Sequence, residues 1–113
     1  MSTTRATKSV YVVELDPCVW DEKADLRSEN PQYTPGSGAK CLYVGMTGLD
    51  PTQRFAKHKQ GVRSGKGYVR DYGLTLLPDL FEHENPLTYE AACQRKVSLA
   101  EELRAQGHAV RQN

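Results

Sequence analysis

The chain predicts an α+β domain: a small central antiparallel sheet flanked by helices. Three observations carry this. Two short β-branched and aromatic runs, "SVYVVEL" at 9–15 and "KCLYVGM" at 40–46, read as strands. Two segments with opening and closing signals, after Asp50-Pro51 and after Thr88, read as helices. A length of 113 residues supports one domain around one core, so 1–113 is taken as a single unit.

The elements follow in order. Between the two strands lies "DPCVWDEKADLRSENPQYTPGSGAK", rich in Pro, Gly, Ser and charge. It reads as a long loop insertion at about 16–39, a flap or excursion that Trp20 and Tyr33 would pin to the body. After the second strand, Asp50 caps and Pro51 opens a helix through "TQRFAKHKQ", with Gly61 as its stop. A shorter helix covers "SGKGYVRDYG", starting at Ser64 or a neighbour. "LTLLPDLFEHE" holds a short third strand, weakened by Pro78. The last helix, "TYEAACQRKVSLAEELRAQG", has Thr88 as cap and Gly107 as stop.

Composition narrows the function classes. Charged residues make up 26% and hydrophobic residues 38%, ordinary values for a soluble globular chain. No apolar stretch approaches membrane-spanning length, and no apolar region follows "MSTTRATKS" as a secretory signal would require. Cys18, Cys41 and Cys93 are odd in number and widely spaced, with no CxxC pair. They suggest buried thiols in a reducing, cytoplasmic setting rather than disulfides or structural zinc.

The net charge of +1 conceals a split. From Pro51 to Arg70 there is no acidic residue, while Arg54, Lys57, Lys59, Arg63, Lys66 and Arg70 are cationic. Such a face suits a polyanion, although a solvated helix surface would look the same. Lys57, Lys59, Arg63, Lys66 and Arg70 are the candidate nucleic-acid-binding residues.

Arg54 and His58 stand four residues apart on the predicted helix and share a face. Tyr43 lies across a short turn from them, and Tyr11 joins if the two strands pair. An arginine fork suits a phosphate, and a tyrosine or histidine beside it can move a proton. Each residue alone reads more simply as a half-buried sheet tyrosine or a solvated charge; the combination is what points to chemistry.

"VYV" at 10–12, "YVG" at 43–45 and then Arg54 and His58 on a helix resemble the GIY-YIG nuclease superfamily. Ser9 and Val10 stand where that family has Gly and Ile. The resemblance spans nearly the whole chain apart from the insertion. It implies a three-stranded antiparallel sheet flanked by helices, and phosphodiester hydrolysis of nucleic acid, DNA before RNA. Tyr11 and Tyr43 would position and activate water from a shared cleft, Arg54 would hold phosphate and His58 would assist proton transfer. A glutamate on the last helix would hold magnesium, a hard cation that takes carboxylate oxygen.

At that position the chain has Lys96. It falls within the apolar stripe of Ala92, Leu99, Ala100 and Leu103. An ammonium only donates and cannot ligate magnesium. The resemblance therefore implies either an endonuclease impaired at its metal site or a catalytically inactive nucleic-acid-binding module. A shifted register would make Glu90, Glu101 or Glu102 the ligand, and a lysine snorkelling from the core edge is a further reading. A protein-interaction domain using the acidic insertion is a third, weaker class.

Overall fold

The computed structural model describes residues 5–61 and 67–112. The chain runs β1 (Ser9–Leu15), α1 (Val19–Glu22), α2 (Ala24–Glu29), β2 (Cys41–Thr47), α3 (Pro51–Lys59), α4 (Tyr68–Tyr72) and β3 (Gly73–Leu76). Two 3-10 turns, Pro78–Leu80 and Glu82–Glu84, lead into α5 (Tyr89–Ala105) and β4 (Ala109–Gln112). The α+β class holds. The sheet has four strands in the order β3-β1-β2-β4, and β4 runs parallel to β2. The expected three-stranded antiparallel sheet is therefore corrected to a mixed one. Gly107, at φ 100°, reverses the chain after α5 and sends the last residues along β2, a step that a Cβ would strain.

β1 and β2 pair antiparallel with Tyr11 opposite Gly45, Val13 opposite Tyr43 and Leu15 opposite Cys41. Alternation puts Tyr11, Val13, Tyr43 and Gly45 on one face and Val10, Val12, Val44 and Met46 on the other. Both faces are buried. α3 and α4 cover the tyrosine face. α5 covers the other with Ala92, Leu99, Ala100 and Leu103, and Cys93 Sγ lies 3.6 Å from Met46 Sδ. The helix caps are the expected ones: Asp50 Oδ1 accepts from Thr52 N at 2.9 Å, and Thr88 Oγ1 from Ala91 N at 3.1 Å.

The insertion is not a plain loop. It folds into α1 and α2, with Val19 and Leu26 buried and the Trp20 ring tilted against that of Tyr33, their centroids 4.7 Å apart. Asn30, fully buried at its end, finishes the outer edge of β4. Its Nδ2 donates to Val110 O (3.0 Å) and Leu26 O (2.8 Å). Its Oδ1 accepts from Val110 N (2.8 Å) and Arg104 Nε (3.1 Å). Asn85 does the same for β1, accepting from Val10 N at 3.0 Å and donating to Val10 O at 2.9 Å. Each side-chain amide thus replaces a missing neighbouring strand and leaves no open ladder there.

Of the three free thiols, Cys41 is buried, Cys93 half-buried and Cys18 exposed, so the expectation of uniformly buried thiols holds for one. Among the described residues no helix is long and apolar enough to cross a membrane.

Candidate active site

The register already brings the two tyrosines together. Tyr11 faces Gly45, so its ring has no cross-strand side chain to avoid and lies over the glycine backbone. A Cβ at Gly45 would stand 2.6 Å from the Tyr11 hydroxyl oxygen and 2.7 Å from its Cζ. The Tyr11 and Tyr43 ring centroids are 6.2 Å apart.

α3 supplies the rest. Its start is fixed by Asp50 and Pro51, and it carries Arg54 and His58 one turn apart toward the sheet. His58 is fully buried, and its Nε2 lies 2.8 Å from Tyr11 Oη. Its ring centroid is 6.0 Å from that of Tyr11 and 5.7 Å from that of Tyr43. The Arg54 guanidinium reaches the Tyr11 hydroxyl. Tyr11, Tyr43, Arg54 and His58, the four residues singled out in the sequence, form one cluster.

The cluster is closed rather than open. Tyr11, Tyr43 and His58 are all 0% exposed, so the hydroxyls do not line an open cleft. A groove of about 610 Å³ beside the start of α3 is lined by Ser9, Asp50, Thr52, Leu76, Phe81 and Asn85, none of them in the cluster.

Burial sets the protonation states. It pushes His58 down to about 4, helped by the positive charge of Arg54, so the imidazole is neutral at pH 7. Burial raises the Tyr11 hydroxyl far above its ordinary range, with Tyr43 adding to the effect and Arg54 opposing it. Tyr43 is raised by burial too, offset by Arg54 and Arg111. The cluster is therefore two protonated phenols and a neutral imidazole beside arginine. It can hold and relay a proton, but it contains no ready oxyanion nucleophile.

Sequence reasoning missed Arg111. It follows Gly107 in a tail too short and polar to signal a strand. In β4 it pairs with Tyr43, so both side chains leave the sheet on the same face. Its guanidinium lies 5.1 Å from the Tyr68 ring centroid and binds Glu29 at 3.1 Å.

The structure does not bring Lys96 into this group. Lys96 is half-buried on the sheet-facing stripe of α5, but α5 packs on the Met46 face. The charges that act on Tyr43 and His58 are those of Arg54 and, for Tyr43, Arg111. The other candidate ligands are placed no better. Glu102 is paired with Arg95, which also holds Glu84, while Glu90 and Glu101 are exposed. A magnesium ion wants carboxylate oxygens, and here it would meet neutral hydroxyls, a neutral imidazole and two guanidinium groups. The residues do not fit that metal. Among the described residues, no group of three or more His, Cys, Asp and Glu is arranged to hold a metal ion.

The basic face is thinner than its sequence suggests. Lys57 is exposed. Lys59 is exposed but tied to the fold, its Nζ donating to Gly73 O (2.9 Å) and Arg70 O (3.2 Å) at the end of α4. Arg70 is paired with Asp71 at 2.9 Å. Arg63 and Lys66 lie outside the described residues.

No family model matches the chain, and neither a curated protein nor a solved structure matches it.

Proposed function

We propose that the chain is a GIY-YIG-type module that holds the phosphate backbone of nucleic acid without magnesium-dependent cleavage. One observation carries the reading: Tyr11, Tyr43, Arg54 and His58 converge on the buried sheet face while the candidate carboxylates of α5 lie elsewhere. The four residue types and their order along the chain are those of a phosphodiester-cutting centre, and a core alone has no use for a buried histidine beside an arginine. Without a carboxylate, the centre lacks the means to hold a hard cation and to neutralise charge on a phosphate in flight. Loss of that Lewis acid costs several kcal/mol in the transition state, where about 1.4 kcal/mol is already tenfold in rate. What survives is the capacity to bind phosphate through arginine, helped by Lys57 on the exposed side of α3.

The test pairs binding with cleavage. Affinity for a generic DNA duplex is measured at low and moderate salt, and cutting is followed on plasmid and single-stranded DNA with magnesium. Binding should weaken steeply as salt rises through counterion release, and no magnesium-dependent product should form. Lys57→Ala should weaken binding. Lys96→Glu should not restore cutting, because its helix packs on the far face of the sheet. Robust cutting by the unmodified chain would reinstate an active endonuclease. The absence of duplex binding at low salt would remove nucleic acid as the partner.

A further inference from the structure

We infer that a cavity at the entries to β2 and β4 binds a small zwitterion, an α-amino acid with an aliphatic side chain, between Lys40 and His108 on one side and Asp79 on the other. The cavity measures about 300 Å³ and has Leu42, Leu77 and Leu80 as its apolar lining. It is separate from the tyrosine cluster and from the nucleic-acid reading. Leu42 pairs with Glu14, and both leave the sheet on the face that α5 covers, opposite Tyr11 and Tyr43.

The donor side is built from two residues locked to each other. Lys40 N donates to His108 Nδ1 at 2.9 Å, and Ala109 N donates to Lys40 O at 3.0 Å. Gln32 Nε2 holds His108 O at 2.9 Å. An Nδ1 that accepts leaves the proton of the neutral ring on Nε2. Burial and the charge of Lys40 lower the His108 pKa from 6.5, so the ring is neutral at pH 7. Its Nε2–H makes no hydrogen bond among the described residues, and the ring lines the cavity. Lys40 Nζ lies 3.3 Å from Glu14 Oε2, with the two side chains 48% and 24% exposed. An ammonium has three donors, so Lys40 can serve a ligand carboxylate while it keeps Glu14.

The acceptor side is Asp79. It is exposed and makes no hydrogen bond or ion pair among the described residues. The turn that carries it is pinned by Leu80 N to Leu77 O at 3.0 Å and Phe81 N to Pro78 O at 3.1 Å, and Pro78 fixes the backbone where the turn opens. Both sides of the cavity are therefore set before a ligand arrives, which lowers the ordering cost of binding.

Charge and size choose the ligand. One ammonium and a neutral imidazole stand against the carboxylates of Glu14 and Asp79, so a bare anion is disfavoured. A ligand that carries both signs gives its carboxylate to Lys40 and His108 and its ammonium to Asp79. Leu42 is fully buried beneath the cavity, while Leu77 and Leu80 are half-buried at its wall and can take an aliphatic side chain. A volume of about 300 Å³ is at the low end for small-molecule sites, about 300–1,000 Å³, and suits a ligand of amino-acid size.

L-Leucine is the probe, titrated into the full chain near neutral pH at constant ionic strength and without nucleic acid. A ligand that binds only the folded chain raises Tm, and His108 imidazole resonances report where it sits. A saturable rise in Tm with a shift at His108 and none at His58 is expected. N-acetyl-leucine lacks the ammonium, leucinamide lacks the carboxylate and glycine lacks the side chain; each should bind at least about tenfold more weakly. Asp79→Asn and Lys40→Gln change exposed side chains, so the fold is kept, and each should weaken leucine binding at least about tenfold. No saturable response to leucine would overturn the inference, as would a response at His58 instead of His108. Binding of N-acetyl-leucine as tight as that of leucine would also overturn it, and would assign the cavity to the C-terminal residue of a protein chain. So would both variants binding leucine like the parent.

Discussion

Gly45→Ala tests the architecture of the cluster with the smallest possible change. The added methyl would stand 2.6 Å from Tyr11 Oη, 2.7 Å from Cζ and 3.0 Å from Cε1. Contacts that short require the ring to move by roughly 1 Å, since carbon contacts prefer about 3.5–4.0 Å. The ring has nowhere to go: Tyr11 is fully buried, with Tyr43 at 6.2 Å and His58 at 6.0 Å. Overpacking of this kind costs about 1–3 kcal/mol. Pulling Tyr11 Oη off His58 Nε2 leaves a buried ring nitrogen alone, which costs about 1–3 kcal/mol more. The sum, about 2–6 kcal/mol, is a large share of a small domain's stability. Urea unfolding at constant m measures it. The same substitution in a Tyr11→Leu background should cost much less, because the ring it strikes is gone. Gly45→Ala within about 0.5 kcal/mol of the parent, or an equal cost in both backgrounds, would show that the tyrosine does not lie over the glycine.

Three further outcomes are expected. His58 has its folded pKa lowered to about 4 from an unfolded value of 6.5, so the unfolded chain binds the extra proton first. Stability is therefore full above about pH 6.5 and falls as pH drops toward 4, by about 3 kcal/mol over that window, with His108 adding the same sign; an imidazole titrating near 6.5 in the folded chain would refute it. Asn30→Ala should cost about 1–3 kcal/mol and open the Val110 amide to hydrogen exchange, because it strips the acceptor from Val110 N, while Val110 O keeps Arg104 Nη2 at 3.1 Å. Lys96→Met should change stability by less than about 1 kcal/mol, since the stem already packs in the apolar stripe of α5; a loss of several kcal/mol would reveal an ionic partner.

What the sequence made legible was local. β1 and β2 are readable because each is a short β-branched and aromatic run, and α3 and α5 because Asp50, Pro51 and Thr88 announce their starts. The meeting of Tyr11, Tyr43, Arg54 and His58 follows from β1, β2 and α3 once the two strands pair. The parts that escaped depend on partners far away in the chain. β4 has four residues and is held in place by β2 on one side and by the Asn30 amide on the other, 80 residues earlier. α1 and α2 are too short to show a period, and their reason to exist is the burial of Val19 and Leu26 plus the Trp20–Tyr33 ring contact. Lys59 reads as a surface charge but caps the end of α4, an interaction that no local pattern encodes.

Lys96 shows most clearly where periodicity stops being informative. The helical wheel identified the inward stripe of α5, and Ala92, Leu99, Ala100 and Leu103 are all buried along it. Yet "inward" has two meanings in a domain whose sheet is covered on both faces. A helix that packs on the tyrosine face offers its stripe to chemistry, whereas one that packs behind it offers the stripe to Val10, Val12, Val44 and Met46. Nothing in the 3.6-residue repeat separates these cases; the strand order and the crossing that follows β3 decide. On the far face a lysine is a packing residue with a charged tip, not a metal ligand of the wrong sign. The charge that bears on Tyr43 comes instead from Arg54 and from Arg111, which the strand order sets beside it. If a carboxylate were to be added to this centre, the position to alter is Arg111 rather than Lys96. Arg111→Glu places an acid beside Tyr43 but opposite Glu29, so like-charge repulsion would raise its pKa and weaken any cation site before it formed. Adding Glu29→Gln to that change removes the opposing charge, and only the double variant should gain affinity for magnesium in a calorimetric titration. Binding of magnesium by the Lys96→Glu protein at the tyrosine cluster would refute the assignment of α5 to the far face.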